Sequence, residues 1–438
     1  MFCGDRCTEE YLCSQTLFIH ILFIDNASVL HKYALLMHNY VNISNKNSSP
    51  NSGLTSNLQS NLQTRVTASV VGARGYTGLE TTRLLLSHPN VELQACFATK
   101  EFQLSQYLSS AKAKSIPCYA DSEIFNHLTD VVFLATPAEV SLELAPKLLK
   151  QGCHVIDLSG AFRLKKNDYQ KWYGFEHTEK TWLNKSDYGL MPFASAIKNR
   201  ATDNNSENNY NKSNAGHLIA NPGCYATAIS VALKPLLQQK ILDPSWVIVD
   251  AKSGTTGAGK KASENLLFSE VDGECLPYKI AQHQHTPEIL EALDTDGLNL
   301  QFCTHLLPTR RGIIASIYGR FLSTSSSKTI HTDNSTFANA ELSSEQIMEK
   351  ISLAYQEAFG NYPLIEFGPS KTHSHLLSLK KVVGTGKVHI TFHVQGHNIY
   401  IFSCIDNLLK GAASQAIENF NRLYQLPVDT GLACEAII

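Results

Sequence analysis

One cysteine stands where the backbone could turn it into a nucleophile. The segment 217–220 (HLIA) has the character of a strand, and the turn 221–223 (NPG) leads from it directly to Cys224. The segment 228–242 that follows predicts a helix, kinked or broken at Pro235. Because helix N-termini carry partial positive charge, we expect Cys224 to favour the thiolate. The pattern predicts a nucleophile rather than a buried core cysteine.

Two histidines could move protons. His283 and His285 stand in the segment 283–288 (HQHTPE), and an ordinary imidazole titrates near neutral pH. We therefore expect one of them to act as an acid or base. The alternative is one edge of a metal site, but no third ligand stands nearby at metal-like spacing, so the sequence predicts no metal.

Two glycine-containing segments carry cations that could bind an anion. The segment 253–261 (SGTTGAGKK) ends in two lysines, and 304–312 (THLLPTRRG) contains two arginines. Backbone amides, lysines and the planar guanidinium all suit a phosphate or carboxylate. Solvated surface charge is the alternative interpretation. The nucleoside-triphosphate loop pattern GxxxxGK[ST] is absent from 253–261.

A glycine turn near the start of the regular sequence predicts a dinucleotide site. The apolar strand 66–71 is followed by 72–78 (GARGYTG), a helix that ends near His88, and a second strand at 91–98. Such a βαβ unit brings backbone amides against a pyrophosphate at the helix N-terminus. The spacing is GxxGxxG rather than the usual GxGxxG, so a purely structural turn is the alternative.

The end of the second strand indicates which dinucleotide is bound. NAD-binding proteins usually place an acid there for the ribose hydroxyl, whereas this chain has Thr99 and Lys100. A hydroxyl and a cation suit a 2′-phosphate, so we predict NADP. A solvated loop lysine is the alternative.

Further elements extend the alternation into a doubly wound parallel sheet. A buried strand at 130–140, a helix at 142–152 and a strand and loop at 154–163 follow in order. Ligands bind beyond the carboxyl ends of such strands. Cofactor-binding residues are therefore expected at that edge, and the candidates are Thr136, Pro137, Ser159 and Gly160.

Composition narrows the partners. The 438 residues hold 37 Lys and Arg against 39 Asp and Glu, a net charge of −2, which gives no general attraction for nucleic acid or anionic membrane. The apolar run 17–24 is too short to span a bilayer. The eleven cysteines include no CxxC pair, which favours a reducing, cytoplasmic location. Small molecules and other subunits are the expected partners.

Three polar tracts are predicted to lie outside the folded body. Residues 42–63 are rich in Asn, Ser and Gln, so we expect 1–65 to be a poorly ordered extension, partly helical near 28–40. Similar tracts near 202–214 and 323–344 are expected to be surface-loop insertions.

Taken together, the motifs resemble the N-acetyl-gamma-glutamyl-phosphate reductase family, relatives of the aspartate-semialdehyde dehydrogenases. The resemblance spans about 66–432 and rests on 72–78 (GARGYTG), 220–228 (ANPGCYATA), 253–262 (SGTTGAGKKA), 283–289 (HQHTPEI), 305–313 (HLLPTRRGI) and 406–419 (DNLLKGAASQAIEN). It implies NADPH-dependent reduction of an acyl phosphate to a semialdehyde through a cysteine thioester, in arginine biosynthesis.

The resemblance also implies roles for matching residues. Cys224 is the nucleophile, and His283 and His285 line the site, with His285 favoured as acid/base. The cofactor residues of the glycine turn are Gly72, Arg74, Gly75, Tyr76, Thr77 and Gly78, and Asn407 lies near the nicotinamide. The candidate substrate-binding residues are Asn221, Ser253, Gly254, Lys260 and Arg311.

Two departures from the family pattern stand out. A glutamate usually follows the Tyr-Gly-Leu-Pro sequence, but here Met191, Pro192 and Phe193 follow Tyr188-Gly189-Leu190. Lys260 stands where relatives often carry arginine. Two other functions stay open: an aspartate-semialdehyde dehydrogenase, and a catalytically silent NADP-binding sensor.

The expected architecture has two folded parts. A Rossmann-type NADP-binding domain comprises 66–222 and is completed by 405–438, while 223–404 forms an α+β catalytic domain on a mixed sheet. The alternating stretch 382–405 supplies long strands of that sheet. Such a sheet is a plausible contact between subunits, and the resemblance implies a homo-oligomer, either a dimer or a tetramer.

Overall fold

A computed structural model describes residues 65–194, 216–323 and 342–432 of the chain. The predicted extension, its helix near 28–40 and most of both polar insertions lie outside these residues. No helix in the described ranges has the length and apolar character needed to cross a bilayer.

The first sheet is entirely parallel and has the strand order β3-β2-β1-β4-β5-β7-β6. This confirms the Rossmann-type fold predicted from the alternation of strands and helices. Because its central strands β1, β4 and β5 are covered on both faces, nearly every side chain in them is buried. Its strands are β1 Val66–Val71, β2 Val91–Ala98, β3 Cys118–Ala120, β4 Val131–Leu134, β5 His154–Asp157, β6 Asp187–Tyr188 and β7 Leu218–Ala220.

The second sheet is mixed, with the order β12-β13-β14-β11-β8-β10-β9. Two pairs are parallel (β8 with β10, β12 with β13) and the other four are antiparallel, as expected for the α+β part. Its strands are β8 Val247–Gly254, β9 Leu276–Tyr278, β10 Leu300–Leu307, β11 Ile313–Arg320, β12 Ile365–Pro369, β13 Val388–Gln395 and β14 Asn398–Ile405.

Helices cover the sheets and connect them. The α-helices are α1 Tyr76–Ser87, α2 Ala138–Lys150, α3 Tyr169–Tyr173, α4 Lys180–Leu183, α5 Cys224–Gln238, α6 Phe268–Val271, α7 His285–Leu293, α8 Ser344–Phe359, α9 Leu379–Val382 and α10 Ser414–Leu423. Short 3₁₀ turns occupy Leu104–Gln106, Ala111–Lys114, Asp121–Asn126, Lys166–Asp168, Thr255–Ala258, Glu264–Leu266 and Ser374–Leu377, and a π-helical turn spans Leu409–Ala413.

The helix after the cysteine differs from its predicted form. It begins at Cys224 itself, ends at Gln238 and runs unbroken through Pro235, so the expected break is wrong. Pro235 lies in the last turn and is buried, so the one backbone hydrogen bond lost with its N–H, to the carbonyl of Val231, falls near the end of the helix. The helix packs against β11 and β14 of the mixed sheet. It therefore connects the last long loop of the parallel sheet to the core of the second.

The C-terminal segment returns to the parallel sheet. After β14 the chain makes the π-helical turn and continues into α10, which packs against α1 and β5. Within this segment the fully buried Lys410 Nζ donates to both carboxylate oxygens of Glu418, at 2.7 and 2.6 Å. Tyr362, just before β12, donates to the same carboxylate at 2.5 Å. This buried ion pair ties the π-helical turn to α10.

Candidate active site

The cysteine lies where the two sheets meet. Cys224 is the first residue of α5, and the extended Gly223 caps that helix directly after β7 and its turn. Burial raises the pKa of the Cys224 thiol to about 11, although the backbone amide of Tyr225 and the guanidinium of Arg163 act in the opposite direction. The predicted thiolate preference is therefore wrong for the free protein, because desolvation outweighs the helix terminus. Ionising this thiol requires a base.

Both predicted histidines come to the cysteine turn, and both are neutral. A Cβ on Gly223 would lie 2.3 Å from Nε2 of His285, so this imidazole packs directly on the residue before Cys224. His283 accepts a hydrogen bond from the backbone N–H of His285 through Nδ1, at 3.1 Å.

Burial governs the titration of these imidazoles. Desolvation lowers the pKa of His285 to about 3, with Arg163 adding to the effect, and lowers that of His283 to about 2, with His285 and Lys279 contributing. The expected titration near pH 7 is therefore wrong. A neutral imidazole can accept a proton from a thiol, although the lowered pKa of His285 and the raised pKa of Cys224 both disfavour that transfer in the free protein.

A carboxylate that the sequence did not single out holds this arrangement together. Glu288, on α7, is 1 % exposed. Its Oε1 accepts hydrogen bonds from the N–H of Gly223 and the hydroxyl of Tyr188, both at 2.8 Å. Its Oε2 lies 4.0 Å from Nε2 of His285. Glu288 thereby positions the cysteine turn and the imidazole through one side chain.

A buried arginine from the parallel-sheet part faces that carboxylate. Nη1 of Arg163 lies 3.6 Å from Oε2 of Glu288. Its other nitrogens donate to the carbonyls of Asn221 and Leu158, both at 2.7 Å. The arginine thus fixes the turn that precedes Cys224 and supplies a positive charge near it. The signal that could have found Glu288 is the HxHxxE spacing on one helix, whereas nothing local marks Arg163.

The missing family glutamate leaves an apolar position. Phe193, which follows the cis Met191–Pro192 bond, packs against Phe359 with ring centroids 5.8 Å apart. The position therefore belongs to the core, and the carboxylate beside the cysteine turn comes from Glu288.

An open cavity of about 680 Å³ adjoins the histidines. Ser253 and Gly254, predicted to bind substrate, line it together with His283, Tyr278 and Lys279. The hydroxyl of Tyr278 donates to that of Tyr225, the residue after Cys224, at 3.0 Å. The other lining residues are Gly257, Ala258, Asn265, Leu266, Glu270, Leu276, Pro277, Gln284 and Leu306. Its size and its position beside His283 and Tyr278 suit a small substrate.

The glycine turn fits a dinucleotide. Gly72 has φ +79°, and a Cβ on it would lie 2.3 Å from the carbonyl oxygen of Ala135 after β4. The turns after β1 and β4 therefore approach each other at the switch point of the sheet, where a bound pyrophosphate meets backbone amides. Gly75 caps α1, and its first residues Tyr76, Thr77 and Gly78 follow at once.

The other predicted cofactor residues border the same edge or lie near it. Thr136 and Pro137 directly precede α2, and the hydroxyl of Thr136 pairs with that of Ser141 at 2.8 Å. Ser159 bonds the buried Asp157, and Gly160 lies against Tyr173. Thr99 and Lys100 are exposed at the end of β2, as a 2′-phosphate site requires.

Two predicted anion-binding residues have other partners. Nζ of Lys260 donates to the carbonyl of Arg74 at 2.7 Å, so this lysine reaches the cofactor turn. Arg311 donates to Asp406 at 3.0 Å and to Glu80 at 2.8 Å. Because two carboxylates occupy its guanidinium, these contacts do not leave Arg311 free for a substrate anion.

Two predicted asparagines are similarly engaged by the protein. The buried Asn221 accepts from Asn419 and donates to the carbonyl of Ala412, at 3.0 and 3.1 Å. Asn407 accepts from the N–H of Gly312 and donates to the hydroxyl of Thr256, at 2.8 and 3.0 Å. These bonds connect the C-terminal segment to both sheets. Within the described ranges no three His, Cys, Asp or Glu side chains are grouped to hold a metal.

Two family models match successive parts of the chain. Residues 67–199 match the semialdehyde dehydrogenase NAD-binding domain. Residues 224–407 match the semialdehyde dehydrogenase dimerisation domain. The first corresponds to the parallel sheet and the second to the mixed sheet, with Cys224 at the start of the second.

Solved structures of modest sequence identity share the fold. An aspartate semialdehyde dehydrogenase II from Vibrio cholerae has a TM-score of 0.55 at 16 % identity, covering 82 % of this chain and 99 % of that one. A Candida albicans aspartate semialdehyde dehydrogenase with NADP has a TM-score of 0.55 at 14 % identity, covering 84 % and 100 %.

Curated relatives are more similar in sequence. The N-acetyl-gamma-glutamyl-phosphate reductase of Brevibacillus brevis is 35 % identical over 377 residues, 84 % of this chain and 98 % of that protein. The reductase of Halalkalibacterium halodurans is 37 % identical over 363 residues, 80 % and 94 %. That of Bacillus subtilis is 34 % identical over 389 residues, 84 % and 98 %. With this identity over nearly the full length of the relatives, the chain belongs to the N-acetyl-gamma-glutamyl-phosphate reductase family.

Proposed function

We propose that the protein reduces N-acetyl-glutamyl 5-phosphate to N-acetyl-glutamate 5-semialdehyde and phosphate, with NADPH, in arginine biosynthesis. The observation that carries the proposal is Cys224 at the start of α5 with the neutral imidazole of His285 on the preceding glycine. The relatives' names and the NAD-binding domain support the substrate and the cofactor.

The chemistry needs a covalent intermediate. The sulfur of Cys224 attacks the acyl carbon, the bond from that carbon to the phosphate oxygen breaks, and a thioester forms. A thioester accepts hydride far more readily than a carboxylate. The glycine turn at Gly72, Gly75 and Gly78 would hold NADPH, which would supply that hydride when bound. The hemithioacetal on Cys224 then collapses to the aldehyde and releases the sulfur.

His285 is the proposed proton carrier. It accepts the thiol proton of Cys224 as the sulfur attacks the acyl carbon. Burial lowers the pKa of His285, which keeps the imidazole unprotonated at pH 7 but also makes it a weaker base. Glu288 and Arg163 act as positioning residues, since they hold Gly223 and the turn before the nucleophile. His283, which lines the cavity, faces the substrate.

The leaving phosphate is assigned to the wall of the cavity formed by Ser253 and Gly254. These residues end β8 beside His283. The N–H of Gly254 donates to the carbonyl of Gly312, so the hydroxyl of Ser253, which bonds the carbonyl of Gly254, is the group assigned to a phosphate oxygen. Lys260 is assigned to the cofactor side, because its ammonium bonds the glycine turn at Arg74. The proposal includes a homo-oligomer, either a dimer or a tetramer, formed through residues 224–407. The match of these residues to a dimerisation domain supports it. The proposal also includes a cytoplasmic location.

A substrate panel tests the function. Phosphate-dependent reduction of NADP is followed with N-acetyl-glutamate 5-semialdehyde and with aspartate semialdehyde, for the wild type and for Cys224→Ser. We expect turnover of the acetylated substrate only, and none by the serine variant, which retains NADP binding. Preference for aspartate semialdehyde would replace the proposed substrate. NADP binding without any turnover by the wild type would favour the sensor.

A further inference from the structure

The substrate cavity has a single strong cation. Among its lining residues in the described part of the chain, Lys279 is the one lysine or arginine, and Glu270 is the one acid. Lys279 follows Tyr278, whose hydroxyl bonds Tyr225 beside the nucleophile. The cavity wall thus includes a tyrosine that bonds the residue after Cys224 and, next to it, an ammonium group.

The backbone at this position is strained. Lys279 has φ +45°, a left-handed conformation that is uncommon for a residue with a side chain. Its Nζ donates to the side-chain oxygen of Gln284, which also lines the cavity. Burial lowers the pKa of this partly covered ammonium, so part of its hydration is already lost. A ligand anion would replace the favourable interactions with water that the ammonium has lost on burial.

The assignment of a substrate anion to Lys279 rests on the proposed function. The proposed substrate carries two anions, the phosphate on the reacting carbon and a carboxylate at the far end. The reacting carbon must lie at Cys224, on the buried side marked by Tyr225 and Tyr278. Lys279 is exposed at the rim. We propose that Lys279 binds the distal carboxylate of the substrate and thereby sets the length and charge of the acyl chain that the enzyme accepts.

The kinetic test separates the two anions. KM for N-acetyl-glutamate 5-semialdehyde and KM for phosphate are measured for the wild type, Lys279→Met and Lys279→Arg, together with turnover of the semialdehyde whose carboxylate is converted to the carboxamide. We expect Lys279→Met to raise KM for the semialdehyde about 10- to 100-fold and to leave KM for phosphate unchanged. Lys279→Arg should restore most of the KM for the semialdehyde. With the carboxamide analogue as substrate, KM should be the same for Lys279→Met and the wild type.

Lys240→Met is the matched control. Lys240 is also an exposed lysine with positive φ, 53°, and it lies after the C-terminal end of α5, away from the cavity. This variant should leave both KM values unchanged, and comparison of melting temperatures corrects for any backbone effect shared by the two sites.

Three outcomes would overturn the assignment. An increase confined to KM for phosphate would place the leaving group at Lys279. Unchanged KM values in a folded Lys279→Met protein would show that the ammonium does not contact substrate. Wild-type protein without semialdehyde turnover would refute the proposed function and this assignment with it, and is distinguished by occurring before any substitution is made.

Discussion

At the scale of single residues, the chemistry of the site depends on whether Cys224 carries its proton. Its sulfur begins a helix, yet burial raises its pKa to about 11, while burial lowers the pKa of His285 to about 3. Both shifts have the same cause, since a dry site disfavours the charged form of either group. The resting pair is therefore a neutral thiol and a neutral imidazole. Binding of an anionic substrate or of the cofactor then acts on a pair that carries no net charge.

Alkylation of Cys224 should report this resting state. Iodoacetamide reacts with the thiolate, whose fraction grows tenfold per pH unit below the pKa. We expect the rate at Cys224, followed by peptide mass spectrometry, to rise from pH 7 to pH 9.5 without a plateau. The exposed Cys275 in the same sample is the internal control for the reagent. A plateau below pH 8 would show that the thiolate is already formed.

At the same scale, we expect the preference for NADPH over NADH to depend on Lys100. Lys100 is exposed directly after β2, where a 2′-phosphate is expected. We predict that Lys100→Glu raises KM for NADPH at least tenfold and lowers the NADPH-to-NADH preference, because an attraction becomes a repulsion. Lys114→Glu, an exposed lysine elsewhere in the same part of the chain, should change neither value. An unchanged preference in Lys100→Glu would place the 2′-phosphate elsewhere.

At the scale of elements, the site depends on a C-terminal turn that touches the nucleophile. The π-helical turn Leu409–Ala413 brings Gly411 so close to α5 that a Cβ there would lie 2.6 Å from Cβ of Cys224. Asn221, the residue directly after β7 and three before Cys224, also donates to the carbonyl of Ala412. The element that closes the parallel-sheet part therefore also forms one wall of the nucleophile's surroundings.

Gly411→Ala should consequently impair both stability and activity. The added methyl group must displace α5 or the π-helical turn, and overpacking of this kind costs about 1–3 kcal/mol of unfolding free energy. Denaturant titration measures the loss, and kcat should fall because Cys224 moves. In the double variant Cys224→Gly, Gly411→Ala the contact at 2.6 Å is absent and the tight approach to the Cα of residue 224, at 3.1 Å, remains, so we expect stability to recover in part while activity stays lost. A fully active, equally stable single variant would contradict the close approach.

At the scale of the whole molecule, neutral buried histidines couple stability to acid. His283 and His285 have pKa values of about 2 and 3 in the folded protein, lowered chiefly by burial, against 6.5 for an ordinary histidine. Below pH 6.5 the unfolded chain therefore takes up protons that the folded chain refuses. Their contribution to stability is complete above pH 6.5 and is lost as the pH falls toward the folded values.

The melting temperature should follow that sign. Between pH 7.5 and pH 5.5 each of these histidines costs roughly 1 kcal/mol of unfolding free energy, which for a chain of this size corresponds to about 2–4 °C for the pair. Over the same pH range the melting temperature of the double variant His283→Gln, His285→Gln should fall by about 2–4 °C less than that of the wild type, measured by scanning calorimetry. An equal or larger drop in the double variant would show that the two imidazoles are already charged when folded.

Local pattern was sufficient for most elements and for the position of Cys224 at the start of a helix. The bounds of β1 and β2, the glycine turn at Gly72 and the strand-to-helix junction at Cys224 follow from side chains within a few residues, because hydrogen-bonding periods and turn conformations are local properties. The family resemblance, carried by such motifs, is confirmed by the relatives.

Only the tertiary structure decided how those residues are charged and held. The bond from Tyr188 to Glu288 spans 100 positions in the chain, and Arg163 meets Glu288 from the other sheet. Arg311 lies in a segment whose residue types suit an anion site, yet its guanidinium bonds two carboxylates that are distant in the sequence. Burial that raises the pKa of Cys224 and lowers those of His283 and His285 arises only when both sheets close over them. Desolvation and long-range pairing are properties of the packed chain, and no local pattern of residue types contains them.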